Sequence, residues 1–149
     1  MATQNYHAEI IVNVSAGEAF EKIKLVSEWW TANLEGNSAK MNDIFTVHFG
    51  ETFVTFKIVD LIPASTIVWL VTDCNLHWLT DKKEWKGTKI VWEVSSKKGT
   101  TRVDMTHIGL VPGIECFDRC NDGWDHFIKE SLYSLITEEK GLPHEQKAA

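Results

Sequence analysis

The sequence predicts an α+β domain in which a curved antiparallel sheet wraps around one long C-terminal helix. Three observations predict it. Residues 117–140 place apolar or small side chains at Phe117, Cys120, Trp124, Phe127, Ile128, Ser131, Leu135 and Ile136, in steps of three, four and one that draw a single stripe on a helix. Residues 41–110 break into consecutive alternating segments joined by short turns. With one strand near the N-terminus, that is an antiparallel meander of about six to seven strands. Two short helical segments stand between the first strand and this run, so the helices gather on one face of the sheet.

In order along the chain, residues 7–14 alternate, with Ala8, Ile10, Val12 and Val14 on one face of a strand. Ser15 followed by Glu18 has the capping-box form and starts a helix to about Val26 that buries Ala19, Phe20 and Ile23. Ser27 can cap a second short turn carrying Trp29 and Trp30, one ring pointing inward and its neighbour elsewhere. Residues 33–40 are polar and read as a loop. Strands follow at 41–49 (Phe45, Val47 and Phe49 sharing a side), 53–61 and 66–72 (Ile67, Trp69 and Val71 sharing a face). Residues 73–86 are polar and irregular, although they contain Trp78, Leu79 and Trp85. Residues 86–95 set Ile90, Trp92 and Val94 opposite Lys89, Val91 and Glu93. Lys97-Lys98-Gly99 then turns into a strand over 101–110, where Val103, Met105 and His107 oppose Arg102, Asp104 and Thr106. In the last helix Asp118, Asp122 and Asp125 sit early and Lys140 late, matching the helix dipole. Gly141 is the expected stop, and Pro143 prevents resumption.

With 149 residues, the chain is expected to be one domain, its ordered core spanning about 6–142 and a frayed tail following from 144. Seven Trp and seven Phe against two Tyr suit a deep apolar interior or an apolar pocket. The formal charge of −6 and the absence of a basic run argue against a nucleic-acid surface; the densest group, Lys82, Lys83, Lys86 and Lys89, is interrupted by Glu84 and Trp85. No apolar run reaches membrane-spanning length, and no secretory leader pattern precedes Tyr6. Three cysteines, Cys74, Cys116 and Cys120, are then expected to be reduced thiols in the cytoplasm.

Several short motifs resemble a known superfamily. Ser15-Ala16-x-Glu18-Ala19-Phe20 followed by Trp29-Trp30, then Thr106-His107-x-Gly109-Leu110, then Gly123-Trp124-x-x-Phe127 with Ser131-Leu132 and Leu135-Ile136, together resemble the START-like, birch-pollen-allergen-like (SRPBCC) superfamily. The branch they most resemble is that of the heat-shock-chaperone ATPase activators. The resemblance implies a helix-grip fold with a cavity between sheet and C-terminal helix. It also implies a choice of uses, since the superfamily holds lipids, sterols, plant hormones and polyketides there. Some members are cyclases or aromatases, others carry ligands, and one branch stimulates a chaperone ATPase. Residues 73–86 are longer and more aromatic than the pattern, and Cys116 and Cys120 precede the Gly-Trp pair. Ligand identity therefore does not transfer.

The candidate ligand-binding side chains are Trp30, Phe45, Trp69, Trp92, Trp124 and Phe127, a ring set that either lines a pocket or fills a core. Met105, His107, Cys120 and Asp73 join them. His107 either meets a ligand, as a donor, acceptor or proton carrier, or ties its strand to the helix backbone. Asp73 is the carboxylate best placed to help hold a ligand. Cys116 and Cys120, one helical turn apart, could suggest metal with His126 or His107, but no second ligand pair with zinc-type spacing exists, so no metal or cofactor is expected. As thiols near a helix start they are either packed or reactive. No Gly-x-Ser-x-Gly or Gly-rich phosphate loop occurs. The expectation is a non-catalytic binder of a small hydrophobic or aromatic molecule. The alternatives are a cyclase- or aromatase-type enzyme using His107, and a chaperone-associated interaction module contacting partners through Trp78 and Trp85. A homodimer or a protein partner stays open.

Overall fold

The computed structural model describes residues 5–77, 79–80, 82–111 and 117–143. The strands are β1 (Tyr6–Val12), β2 (Leu34–Gly36), β3 (Ile44–Phe49), β4 (Thr52–Ile62), β5 (Thr66–Asn75), β6 (Lys89–Lys97) and β7 (Thr100–Ile108). Two short helices, α1 (Ala16–Lys24) and α2 (Val26–Trp29), separate β1 from β2. All seven strands pair antiparallel in the order β1-β7-β6-β5-β4-β3-β2. The closing helix is α3 (Phe117–His126), a π-helical turn (Phe127–Leu132) and α4 (Tyr133–Glu138) in succession. Among the described residues no helix is long and apolar enough to cross a membrane.

Alternation decides which face each strand buries. Tyr6, Ala8, Ile10 and Val12 point inward from β1, as do Ile67, Trp69 and Val71 from β5 and Ile90, Trp92 and Val94 from β6. Register brings Trp92 opposite Met105 and Ile90 opposite His107 across β6 and β7. Two irregularities interrupt the β4–β5 pairing, between Thr55 and Phe56 and between Ile58 and Asp60. Such bulges add twist, which bends the long strands around the helix. The helix docks against β1, α1 and α2, burying Ile128, Leu132, Leu135 and Ile136.

Local signals set most boundaries. The Ser15 hydroxyl accepts the Glu18 N–H at 3.1 Å, the expected cap of α1. Elsewhere the structure corrects the sequence. Residues 34–36 are an edge strand on β3 rather than loop. Ser27 lies inside α2, whose cap position is Leu25 with no side-chain bond. Trp29 and Trp30 both point inward and are buried, their rings stacked at 5.9 Å, rather than one pointing inward and its neighbour elsewhere. The left-handed residue ending the C-terminal helix is Glu139, not Gly141. Gly141 serves a close approach instead, since a Cβ there would lie 2.1 Å from the Glu28 carbonyl oxygen. Ser131, buried in the π turn, fixes that crossing by donating to the Trp29 carbonyl at 2.6 Å and accepting the Leu142 N–H at 2.7 Å.

Two further expectations change. Trp85 is buried, so it offers no surface patch, and Trp78 lies outside the described residues. Cys120 is disulfide-bonded rather than reduced, whereas Cys74 is a free, buried thiol. Cys116 and the tail from 144 also lie outside the described residues.

Candidate functional site

The concave side of the sheet is filled along most of its length and open at one end. There a cavity of ≈ 290 Å³ lies between the β3–β4 hairpin and the start of the C-terminal helix. The hairpin contributes Phe49, Thr52 and Val54, and the segment after β5 contributes Leu76 and Trp85. The helix contributes Cys120, Gly123, Trp124 and Phe127, spaced so that all four share one face, and Trp30 follows directly on α2. Five of the ten described lining residues carry aromatic rings, and none of the ten carries a charge.

Trp124 organises the wall. Its ring centroid lies 4.8 Å from that of Trp30 and runs parallel to Trp85 at 6.0 Å, with 9° between planes. Phe49 lies 5.9 Å from Trp30 and 6.2 Å from Phe127, joining hairpin to helix. The orientation of Trp124 is fixed from behind by His107, which is wholly buried. The Trp124 indole N–H donates to His107 Nδ1 at 3.1 Å. The neutral ring therefore carries its proton on Nε2, 2.9 Å from the Thr88 hydroxyl, which donates in turn to the Trp85 carbonyl at 2.6 Å. Trp85 meets the imidazole edge-on at 4.5 Å. Both His107 nitrogens, the Trp124 indole N–H and the Thr88 hydroxyl are all hydrogen-bonded inside the protein. Burial lowers the His107 pKa to about 3, so the ring is neutral at physiological pH. The bond to the helix runs to the Trp124 side chain, not to helix backbone, and both ring nitrogens are spent within the core. A second tie flanks the same helix: the Tyr6 hydroxyl donates to Asp125 Oδ1 at 2.6 Å, and burial with that carboxylate raises the phenol's pKa.

Of the side chains singled out from the sequence, Trp30, Cys120, Trp124 and Phe127 meet at the cavity. Phe45, Trp69, Trp92 and Met105 lie in the filled core instead. Trp69 is packed among Phe45 at 5.1 Å, Phe56 at 5.5 Å and Trp92 at 5.5 Å, and Trp92 rests edge-on against Trp29 at 5.6 Å. Asp73 is not among the cavity-lining residues; it pairs with Lys83 at 2.9 Å, and that hydrogen bond, helped by the Cys74 N–H, lowers its pKa. Phe49, Thr52, Val54, Leu76, Trp85 and Gly123 complete the described lining without having been singled out as ligand-binding. Val54 stands in phase with Phe56 and Ile58 on β4, a signal the alternation carried, whereas Thr52 precedes the strand expected over 53–61. Trp85 sits in an irregular segment, where no periodicity marks the buried face. No three His, Cys, Asp or Glu side chains among the described residues cluster as metal ligands.

A curved seven-strand antiparallel sheet gripping a C-terminal helix, with two short helices after the first strand, is a helix-grip fold. Among solved structures, the Aha1 dimer from Colwellia psychrerythraea is similar, with a TM-score of 0.75 and 22% identity over 95% of this chain and 100% of that one. DynU16, a putative protein in the dynemicin biosynthetic locus, has a TM-score of 0.71 and 14% identity, and matches 94% of this chain with 49% of its own length. CalU16 from Micromonospora echinospora has a TM-score of 0.64 and 11% identity over 91% of this chain and 84% of its own. At these identities the likeness is one of fold. No protein-family model and no curated protein sequence matches the chain.

Proposed function

We propose that this protein binds a small hydrophobic or aromatic molecule in the cavity between the β3–β4 hairpin and the start of the C-terminal helix, and carries it without chemical change. The observation that carries the reading is the contrast in packing. The core is filled from α1 to Trp69, then opens where five rings and three aliphatic or small residues surround ≈ 290 Å³, with no charged side chain among the described lining residues. Concave, mainly apolar space of about this size is how small-molecule sites are built. Catalysis has little support. His107, the best acid–base candidate, has both nitrogens engaged inside the core, and Cys120 is disulfide-bonded. The interaction-module reading loses Trp85, which is buried.

Titrating the protein with neutral bicyclic aromatics, while following tryptophan fluorescence, tests the proposal. Saturable quenching or shift is expected, because Trp30, Trp85 and Trp124 form the wall. Flat titrations across such a panel would remove it.

A further inference from the structure

One polar side chain breaks the apolar lining, and its bonding is incomplete. Thr52 opens β4 with 9% of its surface exposed and is the only hydroxyl among the described cavity-lining residues. Its oxygen accepts the His77 N–H at 3.2 Å, which fixes the hydroxyl but uses only a lone pair. The proton it must donate has no acceptor among the described residues. A hydroxyl so nearly buried ordinarily gives its hydrogen to something, because a buried donor left without an acceptor is destabilising. The neighbouring space is the cavity.

From this we infer the class of ligand and the residue that selects it: a neutral, planar aromatic molecule carrying a hydrogen-bond acceptor, such as an aryl ketone, whose oxygen takes the Thr52 proton. The inference rests on the binding reading above and adds its specificity. Rings are suited by the surrounding Trp30, Phe49, Trp85, Trp124 and Phe127, whose faces and edges favour an aromatic guest beyond simple area burial. Size is set by ≈ 290 Å³, at the lower end of the usual range, which fits roughly two or three fused rings rather than a long-chain lipid. Neutrality follows from the described lining: among its ten described residues no lysine or arginine stands to pair a carboxylate, and burying an unpaired anion is strongly unfavourable.

Three probes of matched shape read this out on the intact protein: 2-ethylnaphthalene, 2-acetylnaphthalene and 2-naphthoate. By calorimetry or tryptophan fluorescence, the ketone should bind about three- to tenfold more tightly than the hydrocarbon, the range of one net hydrogen bond. The carboxylate should bind more weakly than either. Thr52→Val should erase the ketone's advantage while leaving 2-ethylnaphthalene within about twofold of the original. Thr52→Ser, which keeps the hydroxyl and the His77 bond, should retain the advantage. Equal binding of ketone and hydrocarbon by the unaltered protein would overturn the role of Thr52 while leaving the cavity intact as a binding site. Preference for the carboxylate would overturn neutrality. Failure of all three probes would sink the binding reading together with this one.

Discussion

The two ends of the interior are built from the same residue types and come out differently. At one end Trp29, Trp69 and Trp92 pack edge to face, with α1 lying over β6 and β7 above them. At the other, Trp85 and Trp124 stand parallel beside open space. Trp30 divides the two, its ring 6.3 Å from Trp69 on one side and 4.8 Å from Trp124 on the other. What differs is the side chain opposite. Where the helix passes the open end it presents Gly123, and a Cβ placed there would have no atom within 4 Å. At the cavity the gripping helix brings no side chain at Gly123, while the sheet and the neighbouring segments still supply large residues.

The largest effect should come from cutting a ring out of the filled end. Trp92→Ala removes a wholly buried indole whose neighbours are locked, and a loss of about 3–5 kcal/mol is expected in chemical denaturation. A loss below about 1 kcal/mol would mean that this end is as loosely packed as the other.

Next comes the imidazole behind the pocket wall. Its pKa falls from 6.5 in the unfolded chain to about 3 in the fold, so below pH 6.5 the unfolded state takes up a proton that the native state refuses. This term is absent above pH 6.5. It destabilises progressively as pH drops from 6.5 towards 3, by up to about 1.4 kcal/mol per pH unit, then levels off once the native ring also protonates. Between pH 6.5 and 5 few carboxylates titrate, so the slope there reports largely on histidine. His107→Gln should flatten it, and should also alter the fluorescence of Trp124 by removing the bond to its indole. An unchanged slope in His107→Gln would show that other histidines carry the pH dependence.

Gly123→Leu tests the contrast itself and should act in two directions. A mid-helix glycine replaced by leucine gains about 1 kcal/mol from helix propensity, and the new side chain enters the cavity rather than a packed neighbour. Stability should rise while aromatic-ligand binding disappears. Loss of stability would mean that the space is not available to a side chain, and retained binding would place the ligand elsewhere.

The fold was legible because its signals are local and periodic. Alternation sent Trp69, Trp92, Met105 and His107 inward, and the three-four spacing from Cys120 to Ile136 set the buried face of the helix. β2 was not legible, since three residues with one apolar side chain give no period and the strand exists only by pairing with β3. The burial of both Trp29 and Trp30 depends on where α2 ends and on the crossing at Gly141 and Ser131, contacts about a hundred residues apart. The open end was beyond the sequence for a related reason. Which inward-facing ring meets space depends on the axial position of the helix over the sheet, and that decides what Gly123 opposes. Thr52 falls just before the strand expected over 53–61, and its unspent proton appears only once the segment after β5 brings the His77 N–H to it.

The smallest expected effect falls on Asp73, the carboxylate that looked best placed to hold a ligand. Its charge is already satisfied by Lys83 and the Cys74 N–H, and it stands apart from the cavity lining. An exposed pair of this kind contributes little, because water screens it and ordering the lysine opposes it. Asp73→Ala should therefore leave the ligand titration of the unaltered protein superimposable, with the thermal midpoint barely moved. A selective loss of binding in this variant would shift the specificity argument from the Thr52 hydroxyl to the segment that follows β5. Unchanged binding in Asp73→Ala, set beside its loss in Gly123→Leu, would confine recognition to the uncharged end of the interior.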